Sequence, residues 1–333
     1  MKHLQLLFAA FISTSIFFNG CNAQAKPQNS FKLSATILLP GVNGRIDHLS
    51  FDNKHQIIFI AALGNNTLEA VDIKNKKVIH TIKNLNEPQG VAFIPESNSL
   101  FIANGGTGEC DIYNAESFQK TVTVKLSGDA DNVRYDAADK KIYVGFGDGG
   151  IAIIDPTTFK VITEIKLSGH PESFQIDKTS KKIFVNVPDE EQIDVIDLET
   201  NSVINKWKMT EAKANFSMAL DAINHRLFIG CRRSPILLII DTQTGQTISS
   251  FSINSDVDDI FYNSVTKEIY LSCGAGYIDV FKQINANSYV ANGKVSTHSG
   301  ARTSLFIPEL NQLIVASPSG FNRSASLSIY DIK

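Results

Sequence analysis

Short runs of Ile, Val, Leu, Phe and Tyr alternate with clusters of Asp, Asn, Gly, Lys and Thr along most of the chain. No segment sustains the 3.6-residue apolar period of a capped helix, so the pattern predicts strands separated by tight turns. Residues 56–61, 141–144 and 268–272 are such runs, and Asp52-Asn53-Lys54, Asp136-Ala137-Ala138-Asp139 and Asn263-Ser264-Val265-Thr266 are such turns. A longer pattern lies above this one. An aromatic or aliphatic residue is followed by another eight positions on, in the pairs Phe51/Phe59, Phe93/Phe101, Tyr135/Tyr143, Ile176/Phe184, Leu220/Phe228, Tyr262/Tyr270 and Phe306/Ile314. Successive pairs start 41–44 residues apart. A strand-rich unit repeated seven times at that period predicts the blades of a β-propeller, each of four strands, a to d from the axis outward.

The two ends of the chain fit a ring. The last unit stops after its third strand, at 327–332, and residues 31–39 look like the fourth strands at 120–126 and 160–167. The N-terminal strand is therefore expected to complete the last blade, which hides edges that an open array would expose. The fold class is all-β: a seven-bladed β-propeller of four-stranded antiparallel blades forming one domain over 31–333. Two residues past the second member of each pair stand Ala61, Ala103, Gly145, Asn186, Gly230, Ser272 and Ala316, mostly short side chains where neighbouring sheets must approach. Asp72, Asp155, Asp197 and Asp241 open the turns between strands c and d, where a carboxylate can accept from turn amides.

Pro88-Gln89-Gly90-Val91-Ala92, Leu100-Phe101-Ile102-Ala103-Asn104, Ile193-Asp194-Val195-Ile196-Asp197 and Val161-Ile162-Thr163-Glu164-Ile165 carry a family signature. With them the repeats resemble the YVTN-type, YncE-like β-propellers over residues 31–333. The resemblance implies the seven-bladed fold. It carries over no functional residue, because such propellers host many roles. Only Asn104 keeps the signature Asn; the other units place Ala62, Phe146, Val187, Cys231, Cys273 and Ser317 there.

The first 25 residues read as an export signal, with an almost wholly apolar run from Leu4 to Phe18 behind Lys2. Cleavage after Ala23-Gln24-Ala25 leaves a short linker, 26–30. The alternative is a lipoprotein-type site, Phe18-Asn19-Gly20-Cys21, with Cys21 lipidated. The expected location is periplasmic, membrane-anchored through that lipid, or secreted. The net charge is −3 and no basic run stands out, which argues against a nucleic-acid partner. Cys110, Cys231 and Cys273 show no C-x-x-C spacing and read as small buried hydrophobes.

The a–b and c–d turns share one face and are short, whereas the d–a and b–c loops on the other face vary. Candidate chemistry collects there. Four residues before the first member of each pair stand Asp47, Gln89, Asp131, Glu172, Phe216, Asp258 and Arg302. Two further back stand Arg45, Glu87, Asp129, His170, Ala214, Asp256 and Gly300. Both rows start strand a and should ring the channel mouth. The site expected from them comprises Arg45, Asp47, Gln89, Asp129, Asp131, His170, Glu172, Asp256, Asp258 and Arg302. Its carboxylates suit Ca²⁺ or another divalent cation, with Asp131, Glu172 and Asp258 as the metal set, or a cationic or polyhydroxylated ligand. Asp129-Ala130-Asp131 and Asp256-Val257-Asp258 do not continue into a calcium loop, since Arg134 and Phe261 stand where Gly is needed. Gly145-Phe146-Gly147-Asp148-Gly149-Gly150 joins two strands and reads as a hairpin, not a phosphate loop. His48, His170 and His298 lie near the loops before strand a, and Arg232-Arg233 is a candidate anion clasp. No G-x-S-x-G elbow is present. A monomeric binding protein of the cell envelope, for a small polar ligand or an envelope protein, is the leading functional expectation. A metal-dependent hydrolase of the sugar-lactonase type is the alternative.

Overall fold

The computed structural model describes residues 31–333; the expected export signal, Cys21 and the expected linker lie outside these residues. Seven four-stranded antiparallel sheets stand in sequence order. Their innermost strands are Leu49–Asp52, Pro88–Ile94, Val133–Asp136, Phe174–Asp177, Lys213–Asp221, Val257–Asn263 and Thr303–Ile307. The strand Phe31–Leu38 pairs antiparallel with Ser326–Ile332, from Phe31 opposite Ile332 to Leu38 opposite Ser326. The Leu39 amide adds a bond of 2.8 Å to the Ala325 carbonyl. The seventh blade thus takes its outer strand from the other end of the chain, and this closes the ring.

The repeat row explains where the core sits. The second member of each pair lies at the centre of strand b and is buried: Phe59, Phe101, Phe184, Phe228, Tyr270 and Ile314 are 0% exposed and Tyr143 is 1% exposed. Each packs across to a neighbouring blade, as Phe228 does against Tyr262 and Tyr289, at ring-centroid distances of 5.3 and 5.9 Å. The first members stay half-buried and pack against the edges of the same clusters. In the row of short residues, a Cβ on Gly230 would overlap Ser217 and press on Val257 of the next blade. Asn186 is the exception in size. It is fully buried, donates to the Phe216 and Ser217 carbonyls at 3.2 Å, and accepts from Asn215 at 2.9 Å, so its polarity is satisfied by the next blade.

Asp155 accepts from the Thr157 and Thr158 amides at 3.0 and 2.7 Å, and Asp197 and Asp241 repeat the arrangement in the next two blades. These bonds hold the three carboxyls below their usual range. The pairing of strands c and d slips by one residue at Ala70/Val71, Ile112/Tyr113, Ile153/Ile154, Val195/Ile196 and Ile239/Ile240. Bulges at one repeat position twist the outermost strands, a device that discourages edge-to-edge pairing. Among the described residues no helix is long and apolar enough to cross a membrane.

Candidate functional site

The chain enters most strands a through a backbone turn of positive φ: 50° at Glu87, 24° at Asp129, 58° at Ala214, 61° at Asp256 and 83° at Gly300. This bend swings the following residues toward the axis. Room for them comes from glycines in the facing b–c loops, since a Cβ on Gly105 would overlap Gln89 and one on Gly274 would overlap Asp256. The two sequence rows therefore converge on the loop-rich face, around the channel.

Most of the charges pair there. Arg45 meets Asp47 at 2.8 Å, and Gln89 donates to Asp129 at 2.8 Å. Arg302 reaches Asp256 at 2.8 Å and Asp258 at 3.1 Å. Arg232 donates to the other oxygen of Asp258 and lies 3.8 Å over the Phe216 ring. The candidate anion clasp is thus committed to a carboxylate and an aromatic face. The expected metal set is also rearranged: two arginines hold Asp258, and the donor atoms that converge within 4.8 Å belong to Asp131, His170 and Glu172.

Burial sets the electrostatics. Desolvation pushes Asp47 up to about 8 despite Arg45, and pushes Glu172 up to about 8 with the neighbouring Asp131 and Asp258 adding to it. Asp131 is 6% exposed, yet His170, His48 and Arg45 hold it low. Burial opposes the charge on His170, but Asp131, the Gly147 carbonyl and Asp129 overcome it and raise the ring to about 9. Its Nδ1 lies 2.7 Å from the Gly147 oxygen, which only accepts, so Nδ1 carries a proton and Nε2 faces Asp131 at 3.9 Å.

Below the mouth the channel opens into a cavity of about 550 Å³ lined by strand a of all seven blades. Its polar floor was not expected from the two rows. His48 accepts from Asn132 at 2.9 Å and lies within 4 Å of Asp47, Asp131 and Asp259. Asp259 accepts from the Ser304 amide at 2.7 Å, and burial pushes it up to about 6. Arg134 donates to its neighbour's carbonyl at 3.0 Å, and burial lowers its pKa. The signal for these residues was the charge itself, since Arg134 and Asp259 interrupt runs that otherwise read as inner strands. His298 is not among the residues of this cluster, and desolvation lowers its pKa.

No protein-family profile matches the chain, and no curated protein matches it. Solved structures do. A chain of hydrazine synthase from Kuenenia stuttgartiensis superposes with a TM-score of 0.73 at 13% identity, covering 87% of this chain and 98% of that one. A chain of a mitotic checkpoint complex superposes with a TM-score of 0.75 at 13% identity, covering 98% and 99%. At such identity the likeness speaks for the fold alone, and with the seven closed sheets it identifies the chain as a seven-bladed β-propeller.

Proposed function

We propose that this propeller is an exported, YncE-like binding protein of the cell envelope whose ligand sits at the channel mouth. The YVTN-type motifs and the apolar leader support the family and the location. The mouth supports the site. One observation carries the reading. Among the described residues, the mouth carboxyls Asp47, Asp129, Asp256 and Asp258 each have a direct partner, whereas Asp131 has none closer than the imidazoles of His48 and His170 and Glu172 forms no side-chain hydrogen bond or ion pair. Carboxyls left in this state, one buried and one half-buried, favour a ligand that brings positive charge or several donors, such as an amine or a hydroxyl-rich molecule. The sugar-lactonase alternative draws on the same carboxylates, but its third ligand, Asp258, is committed to Arg232 and Arg302.

Calorimetric titration with spermidine as a cationic probe and a neutral disaccharide as a hydroxyl-rich probe tests this reading. At least one should bind saturably. Asp131→Asn or Glu172→Gln should weaken it at least tenfold, while Glu116→Gln, on the short-turn face, should leave it unchanged. No binding of either probe, or equal loss from both faces, would contradict the reading.

A further inference from the structure

His170 is the unusual member of the mouth. The Gly147 carbonyl, 2.7 Å from Nδ1, keeps a proton on that nitrogen, so Nε2, directed at Asp131 Oδ2 3.9 Å away, is the nitrogen that can give up its proton to a metal. A ring nitrogen tied to a backbone carbonyl, with the other free to face carboxylates, is the second-shell arrangement of a metal-ligating histidine. The carboxylates are available. Asp131 is 6% exposed, and its buried Oδ1 has no hydrogen-bond donor. Glu172 forms no side-chain hydrogen bond or ion pair among the described residues, and Asp131 and Asp258 crowd it with like charge. One donor atom from each of Asp131, His170 and Glu172 lies within 4.8 Å of the others. Ligands at about 2.0–2.2 Å from one ion stand roughly 3–4 Å apart, so side-chain adjustments of about 1 Å close the set.

We propose that Asp131, His170 and Glu172 bind a divalent transition-metal ion of the Zn²⁺ class, with open coordination positions toward the channel. Two carboxylates balance its charge. The imidazole nitrogen selects a borderline ion over Ca²⁺, which takes six to eight oxygens. A cavity of about 820 Å³, lined in part by Asp129, Gly147, His170 and Asp189, gives the ion a path to the ring. This inference rests on the reading of the mouth as a cation-binding site, and it narrows the ligand to a metal and whatever small donor completes its coordination.

The test titrates the mature, chelator-treated protein with ZnCl₂ by calorimetry, then measures metal content after dialysis. One equivalent should remain, and a tenfold excess of CaCl₂ should not displace it. His170→Ala and Glu172→Gln should each lower Zn²⁺ affinity at least tenfold. Co²⁺ loaded in place of Zn²⁺ should show visible absorption that His170→Ala abolishes. Glu172→Gln is isosteric with the native side chain, and circular dichroism verifies its fold. Retention of the equivalent in both variants would assign the ion to surface histidines and overturn the proposal, as would tighter binding of Ca²⁺ than of Zn²⁺ or no saturable Zn²⁺ binding. If Zn²⁺ fails while spermidine or the disaccharide binds, the metal inference falls and the binding reading stands; if all fail, both fall.

Discussion

A carboxyl buried without adequate compensation holds its proton more tightly in the native chain than in the unfolded one, and that difference is visible in stability. Glu172 and Asp47 titrate near pH 8 in the fold, against about 4 when unfolded. Between those values the native state binds the extra protons, so stability falls as pH rises from about 4 to about 8. His170 acts in the same direction. Its raised pKa of about 9 gives stability that is present below about 6.5 and is lost as pH rises through the folded value. Asp131 works the other way and supplies stability that disappears only in acid. Urea midpoints should therefore decline from pH 5 to pH 9, and Glu172→Gln should flatten the decline. An unchanged slope in that variant would mean the proton is held elsewhere. At this scale the sequence was legible in part. The two rows before strand a hold Arg45, Asp47, Asp131, His170, Asp256, Asp258 and Arg302, which interact at the mouth, but not Arg232 or His48, which reach the same carboxylates. They did not show which charges cancel, because whether Asp258 meets arginines or a metal depends on side chains from three different blades. Arg134 and Asp259 escaped for a related reason: a charged residue inside a short strand looks like an exposed face until the ring turns that face toward a channel.

The strand is the unit that the apolar pattern describes best. Pairs eight apart mark strands a and b because a short turn, capped by Asp52, Asp136, Asp177, Asp221 or Asn263, separates them in five of the seven blades. Strands d were harder to bound, since they alternate exposed and half-buried residues and slip at a bulge that leaves no mark in composition. The closing strand was legible through likeness to other d strands, and it ends at Leu38 in the sheet, with Leu39 bonded just beyond. Its contribution is concentrated in few side chains. Leu33 and Leu38 are more than half exposed, whereas Ile37 is 1% exposed in the cluster shared by blades 1 and 7. Ile37→Ala should cost about 2–5 kcal/mol in urea unfolding, and Leu38→Ala much less. Equal effects would show that closure comes from backbone pairing alone.

At the scale of the molecule, each apolar cluster belongs to two blades, so no blade owns a core. A linear array with nearest-neighbour interfaces can melt from its ends, but a closed ring has none: opening any seam removes half of the core of both adjoining blades. Phe228 probes this directly. It comes from strand Arg226–Arg233 of blade 5, is fully buried, and spends its ring on Tyr262 and Tyr289 of blade 6. Phe228→Ala should cost about 3–5 kcal/mol through lost burial and the cavity left behind, lowering the melting temperature by roughly 5–10 °C. The shape of the transition is the sharper observable. If the ring is one cooperative unit, the variant unfolds in a single calorimetric step at the lower temperature, with near-UV and far-UV signals superimposed, because weakening the seam between blades 5 and 6 weakens closure everywhere. If blades act as independent neighbours, blades 5 and 6 separate first and a second, nearly unshifted transition remains. The two outcomes also bear on the mouth. His170 and Glu172 belong to blade 4 and Asp131 to blade 3, so in a cooperative ring their geometry depends on a seam they do not touch, and ligand or metal affinity should persist up to the single transition and vanish with it.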